Sequence, residues 1–158
     1  MSMDANEPYL VLVADDSEDD RYLLKQAMAR TKRLEIVAEV ATGSDAINYL
    51  KGHAPFHDRE KHPLPHLLLL DLKMPLKDGF AVLEWLQTQD FADLSVVVLT
   101  DSMRPEHLKR ALDMGADLFQ VKPKVRAELE TMVLALEEHL SRSIPPQIER
   151  AQLLNLST

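Results

Sequence analysis

Five short apolar segments recur along the chain, and a stretch with helical periodicity follows each of them. Three are nearly continuous runs of Val and Leu, the last is a weaker run, and the second alternates apolar with polar residues. Segments this short are typical of β-strands, and continuous apolar runs are typical of parallel strands covered on both faces. The predicted strands are residues 9–14, 34–40, 66–70, 95–99 and 117–121.

Apolar residues at helical spacing define the segments that follow the strands, namely residues 17–30, 44–51, 80–87, 105–114 and 125–140. Ser17 and Ser44 are N-cap candidates, Pro105 suits a first helical turn, and Gly115 suits a C-cap. Strict alternation requires right-handed crossovers, so we predict an α/β fold with a five-stranded parallel sheet, doubly wound as (βα)5. The polar second and fifth strands belong at the edges, which fits the flavodoxin-like order 2-1-3-4-5.

The composition excludes several classes of function. Lys and Arg number 18 against 26 Asp and Glu, and the net charge of -8 argues against binding to nucleic acid or to an anionic membrane. The absence of cysteine excludes a disulfide framework, Cys-ligated zinc and thiol catalysis. No apolar run approaches the roughly 20 residues of a membrane span, and the N-terminus does not resemble a signal peptide. We therefore expect a cytoplasmic protein.

The length of 158 residues fits one domain, predicted at 8–142 after a flexible N-terminus at 1–7. An inserted loop at 52–65 precedes the third strand. His53, His57, His62 and His66 lie in and after this loop, where their spacing could suit a transition metal, but a mobile polar loop is favoured because two prolines intervene. The tail at 143–158 contains two prolines and is too short for an output domain. It is either an amphipathic arm or a frayed terminus.

Polar groups follow four of the predicted strands. Asp15 and Asp16 follow the first, Asp71 the third, Thr100 the fourth and Lys122 the fifth. Because the carboxyl ends of parallel strands meet at one edge of a sheet, these groups are expected to converge there. Three carboxylates this close need a counter-charge, which Mg²⁺ would supply. Such a set suits an aspartate acting as a nucleophile on phosphorus.

Residues 15–20 hold five carboxylates. Acidic residues in the first turn of a helix interact favourably with its dipole, which explains Glu18, Asp19 and Asp20. It does not explain Asp15 and Asp16, because they precede the N-cap. We therefore assign only this pair to the predicted metal site.

Four motifs at these strand ends resemble those of the receiver domains of two-component response regulators: Asp15-Asp16, residues 71–75 with Asp78-Gly79, Leu99-Thr100, and residues 121–123. The resemblance covers roughly residues 8–140. The inserted loop and residues 17–24 are most similar to single-domain regulators paired with bacterial phytochromes.

The resemblance implies a role for each matching residue. Asp71 would be the phosphorylation site and a Mg²⁺ ligand. Asp16 would bind Mg²⁺ directly, Asp15 through water, and the backbone carbonyl of Lys73 would be the third protein ligand.

The resemblance also implies how the phosphoryl group is held and sensed. Thr100 and Lys122 would each bind a phosphoryl oxygen. Phe119 matches an aromatic switch position that works with Thr100. The peptide bond between Lys122 and Pro123 is expected to be cis.

The implied function is that of a single-domain response regulator rather than a turnover enzyme. A sensor histidine kinase or histidine phosphotransfer protein would phosphorylate Asp71, a downstream target protein or a second copy in a homodimer would read the change, and self-dephosphorylation would reset it. One rival is an interaction module that is not phosphorylated. Another is a phosphohydrolase with an aspartyl nucleophile, although Lys73 stands where such enzymes commonly carry a second aspartate.

Overall fold

The computed structural model describes residues 7–143, which form five strands and five helices in strict alternation. The strands are β1 (Tyr9–Ala14), β2 (Leu34–Val40), β3 (Leu67–Leu70), β4 (Ser95–Thr100) and β5 (Leu118–Val121). The helices are α1 (Glu18–Met28), α2 (Gly43–Lys51), α3 (Gly79–Leu86), α4 (Pro105–Asp113) and α5 (Arg126–Ser143). All strand pairs are parallel and the order is β2-β1-β3-β4-β5, which confirms the predicted fold.

Two parts of the sequence prediction lie outside the described residues. These are the N-terminal segment up to residue 6 and the tail beyond Ser143, including the amphipathic arm considered for it. No helix in the described range, from 7 to 143, is long and apolar enough to cross a bilayer.

The helix ends follow the predicted capping chemistry with two corrections. The C-cap of α4 is Met114, and the predicted Gly115 is the residue after it, with a positive φ. Ser17 caps α1 by accepting a hydrogen bond from the Asp20 N–H at 3.2 Å. The N-cap of α2 is Thr42 rather than Ser44, because the Thr42 hydroxyl accepts from the Asp45 N–H at 3.0 Å. The Ser44 hydroxyl instead donates to the Leu76 carbonyl at 2.7 Å, in the loop after β3. A contact distant in the sequence has therefore displaced the predicted cap.

The sheet is buried on both faces because helices cover each of them. On one face the core contains residues of α2, α3 and α4, and on the other it contains residues of α1 and α5. The alternation along β1 shows why its apolar run is continuous. Leu12 and Ala14 point into the first layer, whereas Val11 and Val13 point into the second. Neither face of this strand is left for polar residues.

The inserted loop, 52–65, has specific contacts with α2. The Arg59 guanidinium donates to the carbonyls of Tyr49 and Leu50, each at 2.9 Å. These carbonyls belong to the last turn of α2, where the Tyr49 carbonyl also accepts from the Gly52 N–H at 3.1 Å. Arg59 thus adds charged hydrogen bonds at the helix C-terminus, where a cation is favourable. The rings of Tyr49, Phe56 and His62 pack together, with centroids 5.1 to 5.8 Å apart.

His66 gives the fold a testable dependence on pH. Its Nδ1 accepts a hydrogen bond from the Leu10 N–H at 2.8 Å, so the neutral ring carries its proton on Nε2. Burial lowers the pKa of His66 below the ordinary value of 6.5. A depressed pKa means that this residue contributes stability above pH 6.5, and that the contribution is lost as the pH falls through the folded-state pKa.

We therefore expect acidification below about pH 6.5 to lower the free energy of unfolding of the wild type relative to that of His66→Gln. Urea unfolding of both proteins at several pH values measures the two slopes. Equal slopes for the wild type and the variant would show that His66 does not carry this dependence.

Candidate functional site

The carboxyl ends of four strands bring the predicted groups together. Asp15 follows β1, Asp71 follows β3, Thr100 ends β4 and Lys122 follows β5. All four residues are buried, with between 1% and 8% of their surface exposed. Asp16 is exposed at the rim. Buried charged groups at the end of a sheet are costly unless they compensate one another, so their clustering indicates a functional site.

Asp15, Asp16 and Asp71 each offer a carboxylate oxygen, and these oxygens lie within 4.8 Å of one another. Within residues 7–143 this is the group of acidic and histidine side chains placed to hold a metal ion, and it contains none of the clustered histidines. The Ser17 N–H orients Asp15 by donating to its Oδ1 at 2.9 Å. An all-carboxylate set fits a hard divalent cation.

Burial dominates the protonation equilibrium of Asp15. It raises the pKa of Asp15 from 3.8 to about 6, and this effect outweighs the hydrogen bonds from Lys122 and from the Ser17 N–H, which lower it. The nearby Asp71 carboxylate raises this pKa further by a smaller amount. A divalent cation beside Asp15 would favour its charged form.

Lys122 is the positive centre of the site. Its Nζ lies 2.7 Å from Asp15 Oδ2, 2.7 Å from Asp20 Oδ2 and 2.9 Å from Asp71 Oδ2. Burial by itself would lower the pKa of Lys122, but the hydrogen bonds to these carboxylates hold it above the ordinary value of 10.5. The lysine therefore stays charged.

Asp20 is a site residue that the sequence analysis missed. The helix dipole explains acidic residues in the first turn of α1, and this explanation applies to Asp19 and Asp20 alike. The sequence pattern therefore did not distinguish Asp20 from Asp19. The available signal was position, because α1 starts within four residues of the end of β1 and its first turn therefore lies at the carboxyl edge of the sheet.

The loop after β3 wraps around the predicted phosphorylation site. The Lys73 N–H donates to Asp71 Oδ1 at 3.3 Å, which leaves Oδ2 to Lys122. The Gly79 N–H donates to the Leu72 carbonyl at 3.0 Å and brings the start of α3 against the same segment. Each Asp71 carboxylate oxygen thus accepts a hydrogen bond, Oδ1 from the Lys73 N–H and Oδ2 from the Lys122 ammonium.

Thr100 and Phe119 occupy neighbouring strands. Thr100 pairs with Val121 in the sheet, and its hydroxyl accepts from the Ser102 N–H at 3.3 Å. Phe119 is half-buried against the core layer under α2 and α3. Phe119 also lines a surface cavity of about 370 Å³ together with Met103 and Leu108. The predicted switch residue therefore lies between the core and an open space.

The prediction of a cis bond before Pro123 is wrong. Across residues 7–143 the cis peptide bond is Ala54–Pro55, in the inserted loop. A bond to proline favours the trans form by roughly 0.5–1 kcal/mol, and Lys122 reaches its three carboxylates with the trans form.

Comparison with known proteins places this site in a wider context. Response regulator Rcp1 from Synechocystis sp. is 29% identical over 138 residues, which are 87% of this chain and 92% of Rcp1. The crystal structure of the Mn(2+)-bound form of Rcp1 matches with a TM-score of 0.71 at 27% identity and covers 82% of this chain and 92% of that chain. The phosphorylated cyanobacterial phytochrome response regulator RcpA gives 0.73 at 27% identity, with 83% and 92% covered.

Another relative contains the matching segment within a longer protein. The uncharacterized transcriptional regulatory protein YhcZ from Bacillus subtilis is 31% identical over 140 residues, which are 87% of this chain but only 60% of YhcZ. The family model for the response regulator receiver domain matches residues 11–134, which include the whole site. The chain therefore belongs to the response regulator receiver domain family, whose members are the phosphoacceptor switches of two-component signalling.

Proposed function

We propose that this protein accepts a phosphoryl group on Asp71 from a phosphohistidine, carried by a sensor histidine kinase or a histidine phosphotransfer protein, with Mg²⁺ as the cofactor. The observation that carries the proposal is the environment of Asp71. Its carboxylate is buried, lies 2.9 Å from the Lys122 ammonium, and belongs to the three-carboxylate group suited to a divalent cation. The geometry supplies a nucleophile, one ammonium group and a set of carboxylates that a divalent cation would fit.

In the proposed reaction a carboxylate oxygen of Asp71 forms a bond to phosphorus while the bond from phosphorus to the histidine nitrogen breaks. The electron pair of that bond leaves with the imidazole, which takes up a proton. Asp16, Asp71 and the Lys73 carbonyl, with Asp15 acting through water, would hold Mg²⁺, which would supply positive charge to the transferred phosphoryl group. Lys122 stabilises another phosphoryl oxygen, and water later hydrolyses the acyl phosphate to restore Asp71.

Phosphorylation would change the surface through Thr100. A phosphoryl group adds about -1.5 to -2 of charge and strong hydrogen-bond acceptors at the end of β3. The Thr100 hydroxyl, whose present partner is a backbone N–H at 3.3 Å, turns to donate to one of them. The space it leaves, together with the cavity beside Phe119, lets that ring repack and alters the surface of α4 and β5. A downstream target protein, or a second copy in a homodimer, reads this surface.

A small phosphodonor tests the proposal without a cognate kinase. Phosphoramidate is suitable because its phosphorus–nitrogen bond resembles that of phosphohistidine. We expect incubation with Mg²⁺ to add one phosphoryl mass to the intact protein, as an adduct that is stable in acid and lost in alkali. EDTA should prevent it. A wild-type protein that binds Mg²⁺ and still forms no adduct would refute the proposed function.

A further inference from the structure

The first turn of α1 supplies Lys122 with a partner that the phosphorylation chemistry does not use. Asp20 Oδ2 lies 2.7 Å from Lys122 Nζ, as near as Asp15 and nearer than Asp71. An ammonium group has three N–H donors and no acceptor. The Lys122 ammonium donates to Asp20 and Asp71 and forms an ion pair with Asp15, so three carboxylates surround it in this state.

The three partners of Lys122 differ in what else they are placed to bind. Asp15 and Asp71 belong to the group whose oxygens lie within 4.8 Å of one another, and the third member of that group is Asp16. Asp20 is outside it and is more open, with 37% of its side chain exposed, against 8% for each of the other two partners. A divalent cation therefore competes with Lys122 for Asp15 and Asp71, whereas Asp20 remains a partner of the lysine alone.

We propose that Asp20 is a positioning residue that retains the Lys122 ammonium at the edge of the site while Asp15 and Asp71 turn to the metal ion. With Asp20 present, metal binding leaves the buried ammonium with a carboxylate partner. Without Asp20, the carboxylate partners of Lys122 are Asp15 and Asp71 alone. A metal ion that binds these two carboxylates must then displace Lys122 from both. A buried charge that loses its last partner is strongly unfavourable, and that cost appears as weaker metal binding.

This inference rests on the proposed function only for the later step, in which Lys122, still held by Asp20, lies ready for a phosphoryl oxygen. The metal step can be measured with no phosphodonor present. The chain also offers a matched control, because Asp19 lies on the same helical turn, carries the same charge and is exposed. Asp19→Asn and Asp20→Asn change the net charge and the helix dipole alike, and only the second removes the carboxylate from Lys122.

The test is a titration of the full-length protein with Mg²⁺ by isothermal calorimetry, with Mn²⁺ electron paramagnetic resonance as a second readout. We expect Asp20→Asn to raise the dissociation constant about tenfold, at the lower end of the range for residues that act through the immediate surroundings of a metal site. Asp19→Asn should raise it less than about twofold, because an exposed charge is screened by salt. Thermal unfolding checks that both variants are folded.

A second pair of variants identifies the route of the effect. In a Lys122→Met background there is no ammonium to retain, so adding Asp20→Asn should change the dissociation constant no more than Asp19→Asn does. A tenfold effect that persists without Lys122, or equal effects of the two asparagine variants, would overturn the inference. Neither result would affect the test for a phosphoryl adduct on the wild type. A missing adduct, in turn, would not change the metal affinities measured here.

Discussion

Asp71→Asn is expected to abolish the phosphoryl adduct while leaving the fold intact. Asparagine has nearly the same shape as aspartate, but its amide cannot form an acyl phosphate. Lys122 keeps two carboxylate partners, at 2.7 Å each, so the substitution does not strand a buried charge. Intact-mass spectrometry after incubation with phosphoramidate and Mg²⁺ measures the adduct, and urea unfolding confirms that the variant is folded.

The matched control for this experiment is Asp78→Asn, in the same loop. Asp78 is exposed and caps α3 by accepting a hydrogen bond from the Ala81 N–H at 2.9 Å. Asparagine is an equally good N-cap, so this variant should be phosphorylated like the wild type. An adduct that survives in Asp71→Asn would assign the phosphorylation to another residue. Loss of the adduct in Asp78→Asn would contradict the view that Asp78 only caps α3 and takes no part in phosphorylation.

Gly79→Ala is expected to lower both the free energy of unfolding and the rate of phosphorylation. A Cβ on Gly79 would lie 2.3 Å from the Asp71 carbonyl oxygen and 2.7 Å from Leu72 Cα. Both are backbone atoms and cannot rotate away, so the segment that carries the acceptor carboxylate must move. We expect a destabilisation of roughly 3 kcal/mol, as for an overpacked core. The adduct should form more slowly because the nucleophile is displaced from its partners.

Gly115→Ala is the control that distinguishes a steric clash of the new Cβ from backbone strain at a positive φ. Gly115 follows the C-cap of α4 with φ near 98°, and a Cβ there would meet nothing within 4 Å. Its replacement strains the backbone by roughly 1–2 kcal/mol and does not touch the Asp71 segment. Urea unfolding and the initial rate of adduct formation, measured for both variants, give the comparison. A normal phosphorylation rate in Gly79→Ala would show that the close contact does not position Asp71.

The alternation of strands and helices could be predicted because the spacing of apolar residues within each segment identifies that segment as a strand or a helix. The bounds of β1 and β2 agree with the predicted segments, and the strand order follows from which runs are polar. The start of α2 was less accessible. Gly43 packs closely against the loop after β3, because a Cβ on Gly43 would lie 2.1 Å from the Lys77 carbonyl oxygen. This contact between segments distant in the sequence places the N-cap at Thr42. Local propensities carry no trace of such a contact.

The site shows the same division between local and distant causes. Topology alone brings Asp15, Asp71 and Lys122 to one edge, so their convergence could be predicted. Asp20 could not be singled out, because its role depends on a lysine 102 positions away in the chain. The contacts of Arg59 could not be predicted for the same reason, because they depend on how the loop at 52–65 folds back against the last turn of α2.

The anchored loop at 52–65 lies between α2 and the start of β3, and therefore at the end of the sheet opposite Asp71. The sequence contains no cysteine, so a thiol introduced there would be chemically unique. His57 is exposed on this loop, and His57→Cys would accept a maleimide fluorophore without altering any group at the proposed phosphorylation site. The protein thus offers a ready attachment point for a reporter, with which its association with other molecules can be followed in real time.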